Sequence, residues 1–160
     1  MQSKNVKTII RYYYGIPEMQ NLLRREREDL EDEYNGLRGM EMDGVPHGTS
    51  SGKPVEALAE HLDGNNVRNR LEENSIKAQV LSTDSEVIRD CLDALNGRYK
   101  RVVSMRYRDG YSWARLAVRM EAPDSTVRRW HDRAIQRVGE ALEDMPMVDE
   151  LLGRASRARV

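Results

Sequence analysis

Apolar side chains along this chain recur at intervals of three, four and seven far more often than at intervals of two, which predicts helix almost throughout. Val6 to Tyr14 is a short apolar and aromatic segment that Gly15 is expected to stop. Pro17 then suits the first turn of a new helix, with Glu18 favourable beside it. Ile16, Met19, Leu23, Leu30, Tyr34 and Leu37 mark one stripe, with the charge run "RREREDLEDE" on the solvated face and Glu26 and Glu33 on the seam. The spacing describes a coiled-coil arm of roughly 30 Å. "GMEMDGVPHGTSSGKP", residues 39–54, holds four Gly and two Pro without periodicity and reads as a loop. A second helical stretch carries Val55, Leu58, Leu62, Val67, Leu71, Ala78, Leu81, Ile88, Leu92 and Leu95, with Gly64 and Ser82 to Glu86 as expected interruptions. Folding it back on the first gives an antiparallel hairpin. Pairing the same seams between two chains satisfies the spacing equally.

After Asn96-Gly97 the texture changes to three short helical patterns with tight punctuation. Val102, Val103, Met105 and Tyr107 line the first, which ends at Asp109-Gly110, and Ser112 is placed to cap the second. The stretch "RLAVRMEAPDSTVRRW" then meets the needs of a helix-turn-helix, where two helices cross at close range over a tight turn. Leu116 and Met120 supply the apolar pair of its first helix, Ala117 the small residue at the crossing, and Ala122 fills the turn from inside. Val127, Trp130, Ala134 and Val138 anchor the second helix by one face. Glu121 stands where glycine is usual, so a positive φ is expected at a non-glycine residue. Pro123 replaces the usual hydroxyl cap, which leaves capping to Asp124 or Ser125.

That burial pattern turns Asp124, Ser125, Thr126, Arg128, Arg129 and Asp132 outward, towards solvent or the major groove of a duplex. Arginine can pair two-pronged with guanine, a contact worth about 1–3 kcal/mol of discrimination. Arg106, Arg108, Ser112, Arg115, Arg119, Arg133 and Arg137 are candidate phosphate contacts, which position a protein without reading sequence.

The charge distribution supports an anionic partner. The 160 residues carry a net charge of −1, but residues 98–160 hold 14 Lys/Arg against 9 Asp/Glu, while residues 1–97 hold 12 against 18. Charged residues make up 33% and hydrophobic ones 39%, with no Phe, a lean core suited to exposed helices. Cys91, the single cysteine, excludes an internal disulfide and suits a reducing cytoplasm; among Ile88, Leu92 and Leu95 it reads as a small core residue. No apolar run approaches the ~20 residues of a membrane span, and the amino-terminal stretch lacks a signal-peptide pattern. A cytoplasmic location is therefore expected.

Other chemistry finds little footing. His47, His61 and His131 are scattered and form no metal motif. "GTSSGKP" lacks the spacing, the Ser or Thr after lysine and the preceding strand of a phosphate-binding loop. Acidic residues lie in helical charge runs rather than as isolated pairs. No enzyme and no cofactor is implied. Trp113 and Trp130 fall on the buried face, and Tyr12, Tyr13 and Tyr14 are expected to pack against the hairpin or a partner chain.

From Leu95 to Val138 the chain resembles region four of bacterial sigma factors, through "RVVSMRYRDGYSWARLAVRMEAPDSTVRRWHDRAIQRV" and the apolar helix before it. The charged first helix, the "MDGVPHGTSSGKPVE" loop, the second helix and this ending together resemble phage and prophage late-transcription regulators of the ArpU/RinA kind. Residues 1–94 do not resemble the rest of a sigma factor. The resemblance implies DNA-binding control of phage genes, with Arg128, Arg129 and their neighbours at the DNA; contact with bacterial RNA polymerase is a further implication. The expectation is thus an all-α protein. Residues 1–94 form the helical hairpin or coiled-coil region, 95–145 the helix-turn-helix domain, and 146–160 a frayed tail whose arginines need no role. Its partner is double-stranded DNA, read as a homo-oligomer with a dimer favoured, the recognition helix spanning about 124–138. A phage small terminase, or a polymerase-binding module without DNA contact, are the alternatives.

Overall fold

The computed structural model describes the backbone of residues 1–42 and 54–158, and the side chains of 1–37 and 64–158. Six helices follow in order: α1 (Ser3–Met42), α2 (Pro54–Asp93), α3 (Gly97–Tyr107), α4 (Trp113–Arg119), α5 (Asp124–Glu143) and α6 (Val148–Arg157). No strand occurs among the described residues. The protein is all-α, as the periodicity predicts. Residues 43–53, most of the 39–54 loop and all of its "GTSSGKP" segment but Pro54, lie outside the described residues.

Three expected breaks are absent. α1 runs straight through Gly15 and contains Pro17, although an internal proline forfeits a backbone hydrogen bond and costs about 3 kcal/mol. Packing offsets that cost. Val6, Ile9, Ile10, Tyr12 and Ile16 are all buried, and one such side chain stabilises by about 1.5–3 kcal/mol. α2 likewise continues through Gly64 and through Ser82 to Glu86, because that polar stretch carries a carboxylate with partners inside the fold.

The chain divides into two compact units, Glu18–Leu81 and Met1–Pro17 with Ser82–Val160. In the first, α1 and α2 pair antiparallel within one chain. Leu30 and Val67 are buried on the seam. Buried Asn74 donates to the Leu23 carbonyl at 3.0 Å and to Glu26 at 3.1 Å. Arg70 lies 3.6 Å from Glu33, and Arg68 donates to the Tyr34 hydroxyl at 3.1 Å. Of the two glutamates on the seam, Glu26 is thus an acceptor for buried Asn74, and Glu33 forms a half-exposed ion pair with Arg70.

The second unit joins the start of α1 and the end of α2 to α3–α6. Ile88, Cys91 and Leu92 of α2, Val103 of α3, and Ala134, Ile135, Val138 and Leu142 of α5 are buried. α1 and α5 approach so closely that a Cβ added at Gly139 would stand 3.1 Å from Val6 Cγ2. Burial pushes the Cys91 thiol up, which keeps it protonated and inert.

Residues 148–157 are a docked helix rather than a frayed tail. Leu151 and Ala155 are buried, and so is Asp84 of α2. Arg154 grips Asp84 with two bonds, Nε to Oδ2 at 2.8 Å and Nη2 to Oδ1 at 2.6 Å. The Tyr12 hydroxyl donates to the same carboxylate at 2.8 Å. Burial first, then the hydrogen bond to Asp84, raises the Tyr12 phenol well above its ordinary range. One acidic side chain thus ties α1, α2 and α6 together.

Candidate nucleic-acid interface

The helix-turn-helix is built by ordinary local rules. Ser112 caps α4 by accepting from the Arg115 amide at 3.3 Å. Gly110 takes φ +66 as the chain leaves α3, a left-handed conformation that glycine adopts without strain. Between α4 and α5, Glu121 has φ 50, the positive value expected where glycine is usual, and the Ala122 amide closes the turn on the Ala117 carbonyl at 3.1 Å. α5 begins after Pro123, whose carbonyl accepts from Thr126 at 2.9 Å and Val127 at 3.0 Å, with no side-chain cap. Neither Asp124 nor Ser125 takes over that job. Val102, Leu116 and Val127 are fully buried at the crossing, with Met105, Tyr111, Trp113, Ala117, Met120, Ala122 and Trp130 packed around them.

Burial of Val127, His131, Ala134, Ile135, Val138 and Leu142 fixes which side of α5 faces out. Ser125, Arg128, Arg129, Asp132, Arg133 and Arg137 are exposed, and Asp124 and Thr126 are half-buried. Arg108, Ser112, Arg115 and Arg119 are also exposed, whereas Arg106 is half-buried. These side chains differ in freedom. Arg128 Nε lies 2.6 Å from Asp124 Oδ2, and its Cζ sits 4.7 Å from the Trp113 ring centroid. Arg106 lies 4.8 Å from the same ring centre and donates to the Tyr111 carbonyl at 2.6 Å, so it braces the fold. Arg108 is engaged by Asp109 at 2.8 Å, and that guanidinium holds the Asp109 carboxyl below its ordinary value. Arg115 covers Tyr111 at 4.2 Å, and Arg137 covers Tyr99 at 5.1 Å. Among the described residues, Arg119, Arg129 and Arg133 have no ion pair, side-chain hydrogen bond or ring contact.

His131 is the functional neighbour that sequence reasoning passed over. It is buried beneath the interface, edge-on to Trp113 at 5.1 Å and stacked on Tyr107 at 5.8 Å. Its Nδ1 lies 3.0 Å from Asp132 Oδ1 and its Nε2 lies 3.0 Å from the Tyr107 hydroxyl. A carboxylate only accepts, so Nδ1 carries the hydrogen and Nε2 accepts from the phenol. Burial holds the imidazole below its ordinary pKa, outweighing the opposing pull of Asp132. The signal was present in the sequence: His131 is four residues after Val127, on the apolar stripe. Arg98 was also passed over; it covers Trp130 at 4.6 Å.

The fold and this exposed basic helix define a helix-turn-helix. Residues 85–138 match the family model for sigma-70, region 4, which makes this part of the chain a sigma region-four-like helix-turn-helix. No curated protein and no solved structure matches the chain. No described helix is long and apolar enough to cross a membrane.

Proposed function

We propose that this protein is a sequence-specific, double-stranded-DNA-binding transcription regulator of phage or prophage type, with α5 entering the major groove. One observation carries the reading: the outward face of α5 presents Arg128, Arg129 and Arg133 as exposed side chains, inside the segment that matches sigma region 4. Ser125, Thr126, Arg128, Arg129 and Asp132 line the part that would face base edges. Arg115, Arg119, Arg133 and Arg137, with Ser112, would hold the phosphates, and contact with bacterial RNA polymerase belongs to the same reading. Self-association through the helical arm is part of it too. Leu22 and Ile76, each 57% exposed, are apolar side chains available there, and a dimer would read two half-sites about one helical turn apart.

Selection of bound fragments from the source genome tests this directly. The reading expects one enriched motif upstream of genes, and replacement of Arg129 with Ala should weaken binding to all duplexes or to that motif. No retarded fragment at low salt would overturn it in favour of a protein-binding module. A ring of eight or more subunits by native mass would instead favour DNA packaging.

A further inference from the structure

Asp124 and Arg128 both lie on the outward side of α5, yet they do not present themselves separately. Asp124 is an acceptor and negative, so alone it would be repelled by a phosphate-lined groove. Its carboxylate is engaged instead by Arg128 Nε at 2.6 Å, one helical turn away. The Trp113 ring lies under the guanidinium at 4.7 Å. Together the bond and the ring favour one rotation and one tilt of a planar group that otherwise samples many rotamers. Half of the Arg128 side chain stays exposed, at 50%. Its terminal edge, Nη1 and Nη2, meets no acceptor among the described residues. Two parallel N–H donors held in a plane match guanine, which offers O6 and N7 side by side in the major groove; adenine places a donor at the first of those positions. Arg133 lacks any such bracing and suits the sequence-blind phosphate backbone.

We propose that Asp124 is a positioning residue that orients Arg128 on the Trp113 platform and thereby makes it the guanine reader of this helix. This rests on the reading of α5 as the groove helix. It replaces the sequence-based expectation that Asp124 itself contacts a base.

The test uses the full chain. A randomised duplex pool is enriched by the wild-type protein, and the enriched duplex is remade with each guanine replaced singly by 7-deazaguanine, which lacks N7. At one guanine the wild type should lose about tenfold in affinity, within the range of one two-pronged contact. Asp124→Ala should bind the unmodified enriched duplex about tenfold more weakly, and its 7-deazaguanine penalty should shrink below about threefold. Its binding to a scrambled duplex should be unchanged or tighter, because a negative charge has been removed. Asp124→Asn, which keeps the shape, should lie between, with melting curves showing both variants folded. The proposal is overturned if Asp124→Ala keeps the full penalty, or if it weakens enriched and scrambled duplexes alike. A wild type that binds duplexes without enriching any sequence sinks this proposal while leaving DNA binding intact. A wild type that retards no duplex at low salt sinks the groove-helix reading as well.

Discussion

Replacing Asp84 with Ala probes the junction that holds α6 to the rest of its unit. Asp84 is 3% exposed and accepts three hydrogen bonds, one from Tyr12 and two from Arg154. Removing one member of a buried pair typically costs about 3–5 kcal/mol, because the other charge is left uncompensated. The Arg154 side chain keeps 27% exposure, so water can reach the orphaned guanidinium, and the lower end, about 3 kcal/mol, is expected. For a chain of this length that lowers the midpoint of thermal unfolding by roughly 6–12 °C. Urea denaturation followed by far-ultraviolet circular dichroism measures the loss. Two companion variants separate the contributions. Tyr12→Phe removes one donor and should cost about 1 kcal/mol. Asp84→Leu with Arg154→Met and Tyr12→Phe removes both charges and the hydroxyl that would otherwise lose its acceptor, and should recover most of the stability. A cost below about 1 kcal/mol for Asp84→Ala would refute the view that this carboxylate is the tie between α1, α2 and α6.

Glu121→Gly should be neutral or stabilising by up to about 1 kcal/mol, since φ 50 strains a side chain there while glycine adds entropy to the unfolded chain; a marked loss of stability would show that Glu121 makes a contact the turn needs. His131 makes stability fall in mild acid. Its folded-state pKa is depressed by burial, so the unfolded chain takes up the proton first. Stability is full above about 6.5, the unfolded value, and declines as pH drops from there through the folded pKa. Unfolding curves at successive pH values should lose that component of the acid slope in His131→Phe, and an unchanged slope would count against it. Ser112→Ala should cost about 1 kcal/mol by removing the cap of α4, read from the urea midpoint.

The helix-turn-helix was legible because its rules are local. Leu116, Val127, Ala134 and Val138 fall at helical intervals, and Ser112 and Glu121 occupy positions where capping and turn geometry act within a few residues. The stripe from Ile16 to Leu37 was legible for the same reason, although periodicity alone satisfied pairing within a chain and between chains equally. The described seam pairs within the chain through Asn74, Leu23 and Glu26, a choice that depends on residues about fifty positions apart. Breaks assigned at Gly15 and at Ser82 to Glu86 failed because propensity is worth a few kcal/mol at most and buried packing outweighs it. The charged carboxyl-terminal stretch looked disposable until Arg154 met Asp84 across seventy residues. Arg128 likewise looked like one arginine among several on an exposed face. Only the packing of α4 against α5 brings the Trp113 ring to 4.7 Å from it, a ring contact that Arg119, Arg129 and Arg133 lack among the described residues. Periodicity and capping are written residue by residue and fixed the helices; the pairing of distant charges and rings is a property of their packing.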